Sequence, residues 1–435
     1  MKMSRQETLG QRLRDLRVRC GISQAQLAFP ELSDSYVSLI ESDKRVPAPA
    51  VIQLLARKLG CSPSYLESGV TDEVADGLRM TLQYAELSLQ NGEAAEARDS
   101  FAKVIDHPDL IALRGLMYEA RWGFARALEA CGELEQAVAE LENLAELVSP
   151  EGNSDDWAWL HLALCRCHRE RGDFAAAIEV GERGLEMLAK AQDRWLESGV
   201  MLGATLLSVF CEQGDLVHAR HFADRLVRYA EEVGSVRARA AAYWEAGIAA
   251  DFRGDLEAAL RLAERAVALL GESDDARNIA RLREECGRLL LRVRPDQADR
   301  ARDLLVAAQQ DLAASSAGSI DDARCLTTMA KAEIALGRYT EAIKLAQEAL
   351  GIAGAGPRLV GAEALIVLGQ SYVRLGRNEE AVPTLEEAAK QLEDMRATRH
   401  AAQAWFEVAE LLGEVGDYVG RANAYRKACA CVGLR

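Results

Sequence analysis

The sequence predicts an all-α protein: a five-helix N-terminal domain followed by a right-handed superhelix of about nine stacked helix pairs. Three observations carry this expectation. A glycine with an alanine five positions later recurs at intervals of 39 to 42 residues, and such a period marks a repeat architecture. Only 9 of the 435 residues are proline, and the Ala-, Leu-, Glu- and Arg-rich remainder favours helix. Between Ser23 and Glu41, two short capped segments flank Pro30, the layout of two helices joined by a tight turn.

The N-terminal elements follow from their residues. Leu9, Leu13 and Leu16 form the inner face of a first helix whose arginines point outward. Ser23 is a natural N-cap for a second helix that buries Leu27 and Ala28. Pro30 ends that helix, because it lacks an N–H and clashes with the preceding turn. Ser33 caps a third helix with Val37 and Ile40 on one face and Tyr36 beside them, while Asp34, Ser35 and Leu39 point elsewhere. Pro47 leads into Val51, Leu54, Leu55 and Leu59, and Gly60-Cys61-Ser62-Pro63-Ser64-Tyr65-Leu66 closes the unit. Two short helices in this arrangement can place the second in a major groove about 12 Å wide. The pattern points to DNA.

Residues 9 to 66 resemble the Cro/phage-repressor-like (XRE) helix-turn-helix family. Arg12-Leu13-Arg14, Gly21-Ile22-Ser23-Gln24, Leu27-Ala28, Ser35-Tyr36-Val37-Ser38, Ile40-Glu41, Leu59-Gly60 and Ser62-Pro63 carry the likeness. The resemblance implies a DNA-binding set of Gln24, Ser33, Asp34, Ser35, Tyr36, Ser38, Leu39, Lys44 and Arg45. In it Gln24, Lys44 and Arg45 meet phosphates, Asp34, Ser35 and Leu39 face bases, and Arg17 pairs with Glu41 inside the domain. Two departures stand out. The turn Phe29-Pro30-Glu31-Leu32 lacks the family's usual glycine. The base-facing set also has no Arg, Lys, Asn or Gln, the residues that make bidentate base contacts. A helix-turn-helix kept for dimerisation or protein contact is the alternative reading.

Charge is unevenly placed. The chain carries a formal −16; residues 1 to 69 hold ten Lys/Arg and seven Asp/Glu (+3), leaving −19 for the rest. Such a body is repelled by phosphate, so DNA contact is expected only at the head. The head is weakly basic, and two copies are expected to act together. Met1-Lys2-Met3 runs into polar Ser4-Arg5-Gln6-Glu7 without a leader-like apolar segment, and no apolar run approaches the roughly 20 residues that span a bilayer. The expected location is the cytoplasm, with no membrane contact.

The repeat appears as Gly92 with Ala97, Gly132 with Ala137, Gly172 with Ala177, Gly214 with Ala219, Gly254 with Ala259, Gly337 with Ala342 and Gly376 with Ala381. A worn copy lies near Asp296 to Ala301, and a last one at Gly416 has its alanine shifted to Ala422. Glycine ends the first helix of each pair in a left-handed conformation, and the alanine allows close helix approach. Leu365-x-x-Leu368-Gly369-x-x-Tyr372 and Trp405-x-x-Val408-Ala409-x-x-Leu412 resemble tetratricopeptide repeats. Extra residues fall in loops such as 149–153, 314–318 and 354–357. The expected domains are 1–69 (helix-turn-helix), 70–77 (linker) and 78–435 (repeats).

In register with the turn glycines, Trp122, Arg126, Trp159, Arg166, Trp244, Arg283, Thr327, Lys331 and Gln370 are expected to line a concave ligand-binding wall. Arginine clamps a carboxylate and tryptophan offers an apolar face, so a peptide or small acidic or amphipathic effector suits it, or a protein partner. The alternative for the tryptophans is packing between repeats. His161, Cys165 and His168 have helical spacing that suggests a metal, but Cys165 falls where Gly369 and Ala409 sit in other repeats, a packing position. No metal, no cofactor and no catalytic motif are expected.

A repressor-like head on a tetratricopeptide-like body resembles the signal-peptide-sensing regulators of Gram-positive bacteria and actinobacterial regulators of similar layout. The resemblance implies a transcription regulator whose repeat body senses a ligand or partner and alters how two heads meet DNA. Because one small, weakly charged head buries little DNA surface, a homodimer on a palindromic operator is expected. Its expected pairing surface is the C-terminal end, at Cys429, Val432 and Leu434. The rival is a non-catalytic scaffold for protein partners whose head serves targeting or dimerisation.

Overall fold

Side-chain caps open the first three helices. The computed structural model describes residues 8–149, 153–191, 196–270, 276–313, 319–354, 359–395 and 398–433. Leu434 and much of the three named inter-repeat loops lie outside these residues. Thr8 opens α1 (Leu9–Arg19) in a capping box with Gln11, and Ser23 opens α2 (Gln24–Ala28) in another with Gln26. The Ser33 hydroxyl accepts the Tyr36 N–H at 3.2 Å at the start of α3 (Asp34–Glu41). Helix α4 (Pro49–Leu59) ends at Gly60 in the left-handed region, and α5 (Pro63–Ser68) closes the head. Leu13, Leu27, Val37, Leu55 and Leu66 are fully buried at its centre.

Helix pairs fill the rest. They are α6 (Asp72–Gln90) with α7 (Ala94–Ile105), α8 (Arg114–Ala130) with α9 (Leu134–Ala145), and α10 (Ser154–Arg171) with α11 (Phe174–Ala191). Next come α12 (Glu197–Gln213) with α13 (Leu216–Val233), α14 (Val236–Phe252) with α15 (Leu256–Leu270), and α16 (Ala276–Val293) with α17 (Ala298–Ala313). The last are α18 (Ser319–Ala335) with α19 (Tyr339–Ala353), α20 (Leu359–Arg374) with α21 (Asn378–Glu393), and α22 (Arg399–Glu414) with α23 (Tyr418–Cys431). Among the described residues there is no strand, and the pairs number nine. Residues 72–77 of the expected linker lie in α6. By contacts the chain divides into Met1–Ser149, holding the head and two pairs, and Pro150–Arg435, holding seven.

The repeat motif does what its residues suggest. Gly92, Gly132, Gly172, Gly214, Gly254, Gly337, Gly376 and Gly416 all have φ between +71° and +89°, where a side chain would be strained. Ala97, Ala137, Ala177, Ala219, Ala259, Ala301, Ala342 and Ala381 are fully buried. The final copy differs from expectation. Ala422 is exposed, and Ala424 and Ala428 are the buried small residues of α23; the Arg421 side chain lies against Gly413 instead. Cys165 is fully buried, as are Ala409 and Gly369, matching their shared register.

Gly10 shows how tightly the head closes. A Cβ built there would collide with the Ile40 carbonyl oxygen and lie 2.6 Å from Asp43 Oδ1, so α1 meets the end of α3 backbone to backbone. Helix propensity alone favours Ala over Gly by about 1 kcal/mol, yet a carbonyl cannot rotate away as a side chain can. Gly10→Ala is expected to destabilise the head by about 1–3 kcal/mol, read as faster hydrogen exchange in α1 and α3. Slower exchange would show that the two helices do not touch here.

Candidate functional site

The third helix presents a clear outer row. Ser33, Asp34, Ser35, Ser38, Leu39, Lys44 and Arg45 are exposed, whereas Tyr36 is half-buried against the core. Asp34 Oδ1 accepts the Ser35 N–H at 2.8 Å, a local bond that leaves the carboxylate at the surface. Beneath the row, Arg17 grips Glu41 with two bonds, Nε to Oε1 at 2.5 Å and Nη2 to Oε2 at 3.0 Å, as the resemblance implied. Burial pushes the Glu41 carboxyl up, but the hydrogen bonds from Arg17 and Gln24 and the nearby arginine charges outweigh it and hold it below its ordinary value. Gln24 Nε2 donates to Glu41 Oε2 at 2.7 Å, so its amide braces the network rather than standing free for a phosphate.

Lys58 was not singled out from the sequence. Its Nζ donates to the carbonyls of Leu27 at 3.1 Å and Phe29 at 2.7 Å, and meets the Glu31 carboxylate at 2.5 Å. This clamp fixes the turn before α3 that lacks the usual glycine. Phe29 and Val46, 76% and 87% exposed, flank the same helix and were also missed. The available signal was an apolar residue placed directly before a proline in each case.

The expected wall residues fall in both units. In the first unit, Trp122 is half-buried on α8, and Arg126 Nη1 donates to both Glu86 carboxylate oxygens at 2.9 and 3.0 Å. In the second unit, Trp159, Arg166, Trp244, Lys331 and Gln370 are half-buried on the first helices of their pairs. The Arg237 guanidinium lies 5.7 Å from the Trp159 ring centre, within cation–π range. Arg283 is taken by Asp311 on the second helix of its own pair. Thr327 is buried, and its hydroxyl donates to the Ala323 carbonyl at 2.7 Å, so it is part of the packing and not of a wall.

Within the second unit, polar bonds tie the first helices α10, α12, α14, α16 and α18 in sequence. Ser198 donates to Asp155 and Ser208 to Glu245, each at 2.6 Å. Arg288 and Arg292 converge on Asp251 at 2.7 and 2.8 Å, and Arg277 and Arg281 on Asp321 at 2.8 and 3.0 Å. Thr328 donates to Glu284 at 2.6 Å. Helix α22 then reaches back to earlier repeats: His400 meets Phe252 edge-on at 5.7 Å, and Lys331 Nζ lies 3.9 Å from Glu407 Oε2. Burial pushes the Glu245 carboxyl up to about 7, against the opposing Ser208 bond; burial and then the Glu285 charge push Glu284 up to about 7. Among the described residues, no group of His, Cys, Asp and Glu could hold a metal, and no helix is long and apolar enough to cross a membrane. His161 belongs to the packing: its Nδ1 lies 2.9 Å from the Trp157 carbonyl oxygen, and its side chain lies against Gly184.

Residues 84–418 match the MalT-like TPR region, and the chain belongs to that family. Residues 8–68 match a helix-turn-helix domain, here of the XRE-like kind. These are families of DNA-binding domains and repeat scaffolds, not catalytic ones. In three dimensions the chain is similar to the apo form of RapI (14% identity, TM-score 0.56, 82% of this chain and 97% of that one). It is also similar to the apo form of the quorum sensor NprR from B. thuringiensis (14%, 0.52, 82% and 99%). A third likeness is to the STAND protein PH0952 from Pyrococcus horikoshii, with its tetratricopeptide repeat sensor (13%, 0.54, 98% and 63%). No curated protein matches the chain in sequence.

The raised Glu284 carboxyl has a consequence for stability. Folded, it keeps its proton up to about pH 7; unfolded, only to about pH 4.5. The folded chain therefore binds the extra proton between these values, and stability falls as pH rises through that window. Glu284→Gln keeps an acceptor for Thr328 and removes the titration. It is expected to add about 1–3 kcal/mol near pH 8 and little near pH 4, measured by chemical unfolding at both. An equal effect at both would mean that Glu284 is not protonated in the fold.

Proposed function

We propose that this member of the MalT-like TPR family is a sequence-specific DNA-binding transcription regulator, acting without catalysis, as a pair of chains, in the cytoplasm. The observation that carries the reading is the exposed row Asp34, Ser35, Ser38 and Leu39 on a helix braced from beneath by Arg17, Glu41 and Gln24. A row with no packing duty on a rigid helix is what major-groove reading requires. Lys44 and Arg45, exposed just beyond α3, neutralise phosphates. The small number of basic contacts favours two heads on a palindrome, since the second binding event is then effectively intramolecular.

The unit 150–435 serves as the sensor for a peptide or small amphipathic effector. Half-buried Trp159 and Trp244 on first helices supply apolar contact. Arg283 and Lys331 face carboxylates within the chain, so ring stacking and hydrogen bonds hold the effector more than a cationic clamp does. The likeness in fold to a protein described as a quorum sensor agrees with this role. Addition of the effector should change DNA affinity, and linkage requires that DNA change effector affinity by the same factor.

Fluorescence anisotropy on fragments of the gene's own promoter tests the head. Replacing Lys44 and Arg45 by Ala should weaken binding about equally at all sites and lower the salt slope by about 2. Ser35→Ala should instead alter which sequence is preferred. Unchanged affinity in the double variant would remove this docking, and binding without sequence preference would favour the scaffold reading.

A further inference from the structure

Helix α6 carries a bare apolar stripe. Met80, Tyr84 and Leu87 are 70%, 52% and 53% exposed, and Gly77 continues the stripe, with nothing within 4 Å of a Cβ built on it. The opposite face, with Ala75, Leu78, Leu82, Ala85 and Ser88, is buried in the first repeat. In later repeats the same register is covered. One period on, Ala120 and Ala127 are fully buried in the core that α7 shares with α8. Three periods on, Leu202 and Leu206 are fully buried, and they pack where Gly184 and Gly181 of α11 make room. The stripe is therefore a between-repeat face whose preceding helix is missing. End repeats ordinarily turn a polar face outward here; this one does not. The head of the same chain is present and leaves the stripe open.

We propose that the missing helix is α6 of a second copy of this chain, packed antiparallel about a two-fold axis near residue 82. In that register Met80 meets the second copy's Tyr84, a favourable sulfur–aromatic contact, and Leu87 enters the space left by the second copy's Gly77. Each contact occurs twice, as an isologous interface demands. The flank agrees: Glu73 meets the uncharged Asn91. A parallel pairing would instead oppose Glu73 to Glu73 and Asp76 to Asp76, and leave a void between two copies of Gly77. The Tyr84 hydroxyl, donating to Glu96 on α7 at 2.7 Å, holds the ring in place beforehand. Only residues 69–71 separate α6 from the head, so this surface, rather than the C-terminal end, brings two heads together.

The proposal stands on α6 itself, and its test contains no DNA, so its failure and a failure of DNA reading are separable. Sedimentation velocity at micromolar concentration should give a dimer for the full chain. Met80→Glu and Tyr84→Lys should each give a monomer with unchanged circular dichroism. An equimolar mixture of the two should regain the dimer, because Glu at 80 faces Lys at 84 across the axis while the other pair stays native. Gly77→Trp, whose Cβ has nothing of its own chain within 4 Å, should also give a monomer by blocking Leu87. A monomeric parent, dimers that persist in the single variants, or a mixture that stays monomeric would each overturn the pairing.

Discussion

Each helix pair in this chain can bury its apolar face only against the next pair, and that constraint shapes everything after the head. It explains why glycine and alanine sit at fixed register: the turn glycines release the chain into a second helix, and the small residues let neighbouring helices approach. Gly369 against Leu385 and Gly184 against Leu202 are two such approaches. The same constraint makes the two ends of the array chemically different from its middle. At α6 it leaves an apolar face with no predecessor.

Stacking also determines where charge can sit. A strongly acidic body would repel itself if its carboxylates were scattered, and here many are paired from one first helix to the next. Asp251 and Asp321 each receive two arginines, which holds both below their ordinary values despite the opposing cost of burial. Glu245 and Glu284 receive only hydroxyls and remain protonated far above the ordinary carboxylate range. The inner side of the second unit thus mixes ionised pairs with neutral acids. The return of α22 onto Phe252 and Lys331 shows that these groups belong to a wall that curls back on itself.

The head obeys a different logic. It is small, and its outer row must stay free of packing, so its rigidity comes from a few polar braces. Arg17, Gln24 and Glu41 lock α3 from below, and Lys58 fixes the preceding turn by gathering carbonyls at its end.

The helices, the left-handed turns and the buried alanines were legible in the sequence, because caps, glycine and period act over a few residues or repeat along the chain. The Arg17–Glu41 pair was legible through family resemblance, since the pattern there includes both residues. What the sequence could not decide were the partners of long side chains. Arg126, Arg283 and Lys331 looked like a ligand wall by register, but Glu86, Asp311 and Glu407 lie 40, 28 and 76 residues away, and only tertiary stacking brings them together. Thr327 was misplaced because helical register fixes the face a residue occupies, but not whether another helix covers that face. The open stripe on α6 is the converse case: its residues look like those of any inner repeat, and only the structure shows that, among the described residues, no helix covers them.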